Sequence, residues 1–274
     1  MYKLMLSDLD ETLLVNHHVP DYNVEAIKKG REKGLKFVPA TGRAYNMIPE
    51  ILKEIDAYDK EGEYSICFNG AIIVENKNNK VLHFQGITFE QTKELFELSK
   101  SYDVCVLIFT VDMCYIYNAD PDEVQRKTDQ KAPFKVIEDD TIDFIKGEKI
   151  AKILYERRDM PYLKSIEEEL KEDIERIQVC ASYSSSRYLE FNAIGVDKGF
   201  GLRWLANYLG IDHSETIAIG DNYNDVEMIK EAALGVCVTC ASDDIKELAQ
   251  YVTVNDYDNG AVKEVIEKFV LEEK

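Results

Sequence analysis

Short apolar runs alternate with amphipathic stretches along the first quarter of the chain, and this order constrains the fold more than any other feature. Apolar runs at residues 4–7, 35–39 and 64–68 have the length of strands. Apolar residues at helical spacing fill the stretches between them, near 21–33 and 44–55. Strands that are joined through helices run parallel, with right-handed crossovers. The sequence therefore predicts an α/β fold with a doubly wound parallel sheet.

The middle of the chain has a different pattern, in which several strands follow one another directly. Residues 69–84 are typical of short antiparallel strands with an asparagine-rich turn, and more strands and helices follow. The alternation of strand and helix resumes at residue 188, after a serine-rich stretch that is expected to be the return hinge. We therefore expect an α+β module at residues 85–187, inserted into a core made of residues 1–84 and 188–274.

Acidic residues are in large excess over basic ones. The 274 residues include 33 Lys or Arg and 52 Asp or Glu, which gives a net charge of −19. A nucleic acid or an anionic membrane would be repelled by most of such a surface, so neither is an expected partner. A small anionic substrate fits this charge only where local cations or a metal ion reverse the sign inside one pocket.

Neither a targeting segment nor a membrane span is indicated by the sequence. The longest apolar run, residues 104–109, is far shorter than the ~20 residues that a spanning helix needs. Six cysteines lie in apolar, strand-like sequence, which is typical of reduced, buried thiols in a cytoplasmic protein. Cys237 and Cys240 have redox spacing, but a strand end with its following turn is the favoured interpretation. A monomer is the default expectation.

Acidic side chains follow two of the predicted strands at the point where each strand ends. Asp8 and Asp10 flank one residue after the first strand, and Asp221 and Asp225 follow a later strand. Ligands bind beyond the carboxyl ends of parallel strands. Carboxylates ~4 Å apart repel by roughly 4 kcal/mol per pair at an effective dielectric of about 20. Several carboxylates in one pocket therefore need a cation between them. Mg²⁺ bound by carboxylates and a substrate phosphate is the usual arrangement.

Groups suited to a phosphate lie at other strand and helix ends. Thr41 and Gly42 offer a hydroxyl and a backbone N–H at a strand-to-helix turn, and Lys198 opens a predicted helix. Taken singly, these features are ordinary turns and helix caps, and Asn69-Gly70 is also the strongest short hairpin signal. Their combination on one doubly wound frame favours a single site.

Five motifs follow one another along the whole chain. They are Asp8-Leu9-Asp10-Glu11-Thr12, Thr41-Gly42-Arg43, Asn69-Gly70, Lys198-Gly199 and Gly220-Asp221-Asn222-Tyr223-Asn224-Asp225. Together they resemble the haloacid dehalogenase superfamily, and more narrowly its Cof-type phosphatases. Glu11 departs from the glycine that is common in the superfamily, at a position expected to point outward. The resemblance implies a Rossmann-like core with a cap, inserted after the third strand, that closes over the site and selects the substrate.

The resemblance also implies a role for each residue. Asp8 would be the nucleophile that forms an aspartyl-phosphate, and Asp10 would be the general acid and base. Mg²⁺ would be held by Asp8, the Asp10 carbonyl and Asp221, with Asn222 or Asp225 near the ion. The phosphoryl group would be surrounded by the Leu9 N–H, Thr41, Gly42, Lys198 and Asn224. Arg43 would contact the substrate or pair with Glu50, and Asn69 and Asp225 would contact the substrate or support the site.

Mg²⁺-dependent hydrolysis of a small phosphorylated metabolite, such as a sugar phosphate, is the leading hypothesis. A phosphomutase with a related cap would return the phosphoryl group to a sugar, and the sequence does not separate the two. A non-catalytic phospho-receiver would share the acidic pocket and the lysine, but Asp10 and the large insertion count against it. No motif identifies the cap residues that select the substrate, for which the candidates are Tyr115, Tyr117, Lys152 and Arg157.

Overall fold

A computed structural model describes residues 1–272, which contain fourteen strands and ten α-helices. The strands are β1 (Leu4–Ser7), β2 (Lys36–Pro39), β3 (Tyr64–Cys67), β4 (Ile72–Glu75), β5 (Lys80–Phe84), β6 (Cys105–Thr110), β7 (Cys114–Tyr117), β8 (Phe134–Ile137), β9 (Ile150–Glu156), β10 (Val179–Ser184), β11 (Tyr188–Ala193), β12 (Thr216–Gly220), β13 (Leu234–Cys237) and β14 (Tyr251–Val252). The helices are α1 (Asp21–Glu32), α2 (Pro49–Glu54), α3 (Phe89–Ser99), α4 (Pro121–Asp129), α5 (Met160–Glu169), α6 (Lys171–Ile177), α7 (Lys198–Leu209), α8 (Val226–Glu231), α9 (Asp243–Lys246) and α10 (Ala261–Ile266).

The chain divides into two compact units. The first consists of residues 1–84 and the segment from Asp197 onward, and the second is Gln85–Val196. The return to the first unit therefore lies at residue 197 and not at 188 as the sequence suggested. The difference arises because β11 pairs with β9 and β10, both of which belong to the second unit. The serine-rich stretch expected as a hinge is the tight turn of the β10–β11 hairpin, where Ser185 and Ser186 have positive φ.

The first unit is built on a five-stranded sheet in the order β14-β13-β12-β1-β2, and every pair of neighbours is parallel. Strands β1 and β12 are buried along their whole length, as expected for central strands that are covered on both faces. Helix α1 packs against α10, and α7 packs against α8. The predicted doubly wound α/β fold is thereby confirmed.

Strand β3 joins this sheet less completely than the sequence suggested. A single parallel bridge connects Ala40 with Ile66, and the Thr41 N–H donates to the Ile66 carbonyl at 2.9 Å. Pro39, the last residue of β2, has no N–H to donate to a neighbouring strand. Strand β3 pairs mainly with β4, and β3-β4-β5 form a three-stranded antiparallel sheet with the predicted asparagine-rich turn at Lys77–Asn79.

The second unit contains a six-stranded sheet in the order β10-β11-β9-β6-β7-β8, antiparallel except for the β7–β8 pair. An apolar cluster joins the sheet to residues of α3, α5 and α6, including Phe96, Leu163 and Ile177. Helix α6 continues to Ile177 and ends where Gln178 adopts left-handed backbone. Within residues 1–272, no helix is long and apolar enough to cross a membrane.

Candidate active site

Asp8 and Lys198 meet beyond the carboxyl end of the central strand β1. The Asp8 N–H donates to the Ile219 carbonyl at 3.0 Å, which extends the pairing of β1 with β12 by one residue. Lys198 is the first residue of α7, and its Nζ lies 2.5 Å from Asp8 Oδ1 and 2.6 Å from Asp225 Oδ1. The lysine is completely buried and Asp8 is 7% exposed. An ion pair of this kind is held in a low-dielectric interior, where its charges are screened little by solvent.

Asp221 and Asp225 bring two more carboxylates to the same place. Asp221 directly follows β12, and its Oδ1 accepts a hydrogen bond from the Thr12 hydroxyl at 2.7 Å. Asp225 Oδ2 accepts from the backbone N–H groups of Asp221 and Asn222, each at 3.1 Å. Asp225 therefore fixes the turn after β12 with one oxygen and binds Lys198 with the other. Thr12 has no separate signal in the sequence, because its role depends on the chain folding back toward β12.

Three carboxylates share one lysine in this cluster, so it carries excess negative charge whenever all three are ionised. One ligand oxygen from each of Asp8, Asp221 and Asp225 lies within 4.8 Å of the others, while Lys198 supplies one positive charge. Burial, only partly offset by Lys198, raises the pKa of Asp8 to about 7. Burial and then repulsion by Asp8 and Asp225 raise the pKa of Asp221 to about 8. Carboxylate oxygens in a site with excess negative charge are suited to binding a hard divalent cation.

Lys198 remains a cation despite its burial. Burial alone would lower its pKa, but attraction to Asp225 and Asp8, with the hydrogen bonds to both, raises the pKa of the amine above its ordinary value. A permanently charged amine beside the carboxylates is suited to neutralising the oxygens of a phosphoryl group.

Asp10 lies outside the buried cluster and pairs with Arg43. Its side chain is 55% exposed, and Arg43 Nε donates to Asp10 Oδ2 at 3.1 Å while a second guanidinium nitrogen donates to Oδ1. Glu50, the pairing partner weighed from the sequence, accepts from Lys53 at 2.7 Å. The bidentate pair orients the Asp10 carboxylate and leaves it accessible from solvent.

The predicted phosphate-binding residues lie on neighbouring loops of the first unit. Thr41 and Leu9 are buried, and Thr41 Oγ1 accepts from the Arg43 N–H at 3.1 Å. Asn224 is exposed, and its Nδ2 donates to Asn69 Oδ1 at 3.2 Å. Asn222 is exposed as well and caps the short turn that follows it.

The four candidate substrate residues of the second unit have partners within that unit. The Tyr115 hydroxyl donates to Glu148 and the Tyr117 hydroxyl to Asp140. Arg157 pairs with Asp103, and Lys152 forms a buried ion pair with Glu190 at 2.6 Å. Each of the four side chains therefore has a hydrogen-bond or ion-pair partner within the protein itself.

The six cysteines are all free, and the structure corrects the expectation that all are buried, because Cys180 and Cys240 are exposed. Cys237 ends β13 and Cys240 lies in the turn that follows, as the sequence favoured. Burial raises the pKa of Cys237 to about 11, and partial burial of the Cys240 sulfur with its hydrogen bond to Asp256 raises the pKa of that thiol to about 12. Thiols with raised pKa values are poor nucleophiles at neutral pH.

Comparison with known proteins gives a consistent result over the whole chain. The family model for haloacid dehalogenase-like hydrolases matches residues 5–266. YxeH of Bacillus subtilis, which is named as a phosphatase, is 29% identical over 281 residues, or 99% of each chain. The 5-amino-6-(5-phospho-D-ribitylamino)uracil phosphatase YcsE of Bacillus subtilis is 28% identical over 96% of this chain and 94% of that protein. The crystal structure of a haloacid dehalogenase-like hydrolase from Bacteroides thetaiotaomicron has a TM-score of 0.85 and 28% identity, covering 98% of this chain and 99% of the other.

Proposed function

The chain belongs to the haloacid dehalogenase-like hydrolases and is a phosphatase that acts on phosphoric monoesters, and from this premise we propose that it is Mg²⁺-dependent and forms an aspartyl-phosphate on Asp8. The observation that carries the proposal is the buried cluster of Asp8, Asp221, Asp225 and Lys198 at the strand ends. The cluster combines a carboxylate nucleophile, a fixed cation and oxygen ligands for a divalent ion.

Asp8 attacks the phosphorus atom of the substrate. A bond forms between a carboxylate oxygen and phosphorus while the bond from phosphorus to the leaving oxygen breaks. Lys198 fixes the orientation of the carboxylate through Oδ1 and places its positive charge beside the attacking group. Because phosphoryl transfer depends mainly on positioning and on charge stabilisation, this geometry supplies what the step requires.

Asp10 transfers the protons in both halves of the reaction. It donates a proton to the leaving oxygen, and it later removes a proton from the water that attacks phosphorus and releases Asp8. Its exposed side chain is accessible to a substrate, and the two hydrogen bonds from Arg43 hold it in one orientation. Arg43 also brings a positive charge that an anionic substrate would contact.

The metal would be Mg²⁺, held by Asp8, the backbone carbonyl of Asp10 and Asp221, with Asn222 near the ion. When bound, Mg²⁺ neutralises the charge that develops on the phosphoryl oxygens. Asp225 is proposed to hold Lys198 in place and to fix the turn after β12. The phosphoryl oxygens would be bound by the Leu9 N–H, Thr41, Gly42, Lys198 and Asn224.

The substrate is proposed to be a small phosphorylated metabolite of the sugar-phosphate kind. The relative YcsE is named for a phosphorylated ribityl compound, which supports a polyhydroxylated leaving group. The protein's net charge of −19 supports recognition through short-range contacts, since its net charge repels an anion at long range.

A screen of phosphorylated metabolites with purified protein tests the proposal. We expect steady phosphate release with Mg²⁺, loss of turnover with EDTA, and a loss of at least ~1,000-fold in Asp8→Asn. Asp139→Asn, an exposed position on the second unit, is the matched control and should retain full activity. Turnover that survives EDTA or Asp8→Asn would refute the mechanism, and turnover that depends on a bisphosphate activator would identify a mutase.

A further inference from the structure

Three consecutive residues between β3 and β4 have positive φ. The angles of Phe68, Asn69 and Gly70 are 50°, 54° and 103°, and we refer to these residues as the 68–70 turn. Glycine and asparagine tolerate left-handed backbone, whereas a bulky residue such as Phe68, which is 2% exposed, does so rarely. Strained backbone of this kind persists only where surrounding contacts hold it in place, and it is concentrated at functional sites.

The 68–70 turn is bound on one side to the loop that contains Gly42. The Phe68 N–H donates to the Arg43 carbonyl at 3.0 Å, and the Asn69 N–H donates to the Thr41 carbonyl at 2.9 Å. Between these two hydrogen bonds, the side chain of Asn69 lies against Gly42. A Cβ at position 42 would be 3.2 Å from Asn69 Oδ1 and 3.4 Å from Nδ2. A side chain at position 42 would therefore be in tight contact with the Asn69 amide, which would have to shift by a few tenths of an ångström.

The same turn contacts two further segments to which the proposed function assigns phosphate binding. Asn69 Oδ1 accepts from Asn224 Nδ2 at 3.2 Å. A Cβ on Gly70 would lie 2.2 Å from the carbonyl oxygen of Asp197, so no side chain fits at this position. Asp197 caps α7 and directly precedes Lys198. The 68–70 turn therefore touches the Gly42 loop, the Asn224 turn and the start of α7.

We propose that Asn69 is a positioning residue, which sets the spacing of Gly42 and Asn224 around the transferring phosphoryl group. Donors that are already arranged for the developing charge need no reorganisation during the reaction. Without the Asn69 amide, Asn224 would lose its hydrogen-bond partner and Gly42 its packing neighbour, so the substrate would have to order these groups, which weakens binding and slows transfer. The inference rests on the proposed function and assigns Asn69 a role that involves no direct chemistry.

Asn69→Gly tests this role, because it deletes the amide while keeping a residue that adopts positive φ. We expect kcat/KM for p-nitrophenyl phosphate to fall by about tenfold or more, with a similar rise in the inhibition constant of inorganic phosphate. The matched control is Asn78→Gly, at φ 56° in the Lys77–Asn79 turn. Both variants should show similar small shifts of the thermal midpoint, and the control should keep wild-type kcat/KM and phosphate affinity. Equal kinetic behaviour of the two variants would overturn the inference.

Gly42→Ala tests the same contact from the other side, and its effect alone can be measured even if the Asn69 variant folds poorly. The added methyl group pushes the Asn69 amide aside, so the substitution should lower kcat/KM alone but have a much smaller further effect in the Asn69→Gly background. Independent, multiplicative losses would contradict the inference. A wild-type protein that releases no phosphate from any ester would instead refute the proposed function, so the two failures are distinguishable.

Discussion

Lys198 is the residue on which the electrostatics of the strand ends depend most. Its buried amine forms ion pairs with the carboxylates of both Asp8 and Asp225. A buried ion pair contributes little net stability compared with an apolar substitute, but removal of one partner leaves an uncompensated buried charge. Here a single removal affects two carboxylates together.

Lys198→Met should therefore destabilise the protein strongly. We expect the free energy of unfolding to fall by about 3–5 kcal/mol, measured by urea denaturation without added metal. Lys28→Met, at an exposed position of α1, should change it by less than about 0.5 kcal/mol. Adding Asp225→Asn to Lys198→Met should restore part of the loss, because one stranded carboxylate is removed. A Lys198→Met variant as stable as the control would contradict this account.

For single residues, the sequence predicts which charged residues come together in the site. It does not predict the orientation of their side chains. The convergence of Asp8, Lys198 and Asp221 follows from parallel strands whose carboxyl ends share one edge. The pairing of Asp10 with Arg43 could not be predicted, because it depends on side-chain rotamers. The left-handed backbone of Asn69 agrees with the Asn-Gly hairpin signal, because β3 and β4 are antiparallel and such turns favour positive φ at this pair, whereas the positive φ of Phe68 has no signal in the sequence.

Glu264 shows how one side chain joins separate elements. It lies on α10 and accepts a hydrogen bond from the Tyr251 hydroxyl of β14 at 2.6 Å. It also accepts from the backbone N–H groups of Val254 and Asn255, at 3.0 Å and 2.8 Å. Burial alone would raise the pKa of Glu264, but these hydrogen bonds outweigh it and lower the pKa below its ordinary 4.5.

Glu264→Gln should destabilise the protein by about 1 kcal/mol at pH 7, in proportion to the hydrogen bonds that the charged form accepts. Because the pKa is lowered on folding, the stabilisation is complete above pH 4.5 and is lost as the pH falls through the lower folded value. Urea denaturation of wild type and variant between pH 3 and pH 7 measures the difference in their free energies of unfolding, which should shrink as the pH falls. Glu25→Gln, exposed on α1, is the control. A difference that widens toward low pH would contradict the prediction.

The elements themselves were predicted better than their assignment to a unit. The apolar runs that became β1, β2 and β12 have few alternatives, since each is short, apolar and followed by polar strand-end residues. Strand β11 is different, because its pattern suits either sheet and only its pairing with β9 and β10 decides the matter. Long-range pairing of this kind is not visible in local sequence.

The whole molecule carries a charge that opposes its own proposed substrate. A net charge of −19 repels an anion at long range, whereas Lys198 and the proposed metal ion would attract it only at short range. Salt screens exposed charges beyond about 8 Å at 0.15 M ionic strength and affects buried charges much less.

Added potassium chloride should therefore improve substrate capture. Between about 10 and 150 mM salt, at constant Mg²⁺, we expect kcat/KM for p-nitrophenyl phosphate to rise about two- to threefold while kcat stays constant. Steady-state kinetics measures both quantities, and sucrose at equal osmolality controls for non-ionic effects. A fall in kcat/KM would mean that local attraction at the site outweighs the repulsion by the surface.

The discontinuity of the first unit has a consequence for synthesis on the ribosome. The second unit, Gln85–Val196, is contiguous and contains all the strands of its sheet, so every pairing partner of that sheet is present before the first unit is complete. Strand β1 pairs with β12, which is translated much later. Asp8 is likewise separated from Lys198, its ion-pair partner, by 190 positions in the sequence. A chain that terminates before β12 therefore contains the whole second unit but lacks Asp221 and Asp225 of the acidic cluster.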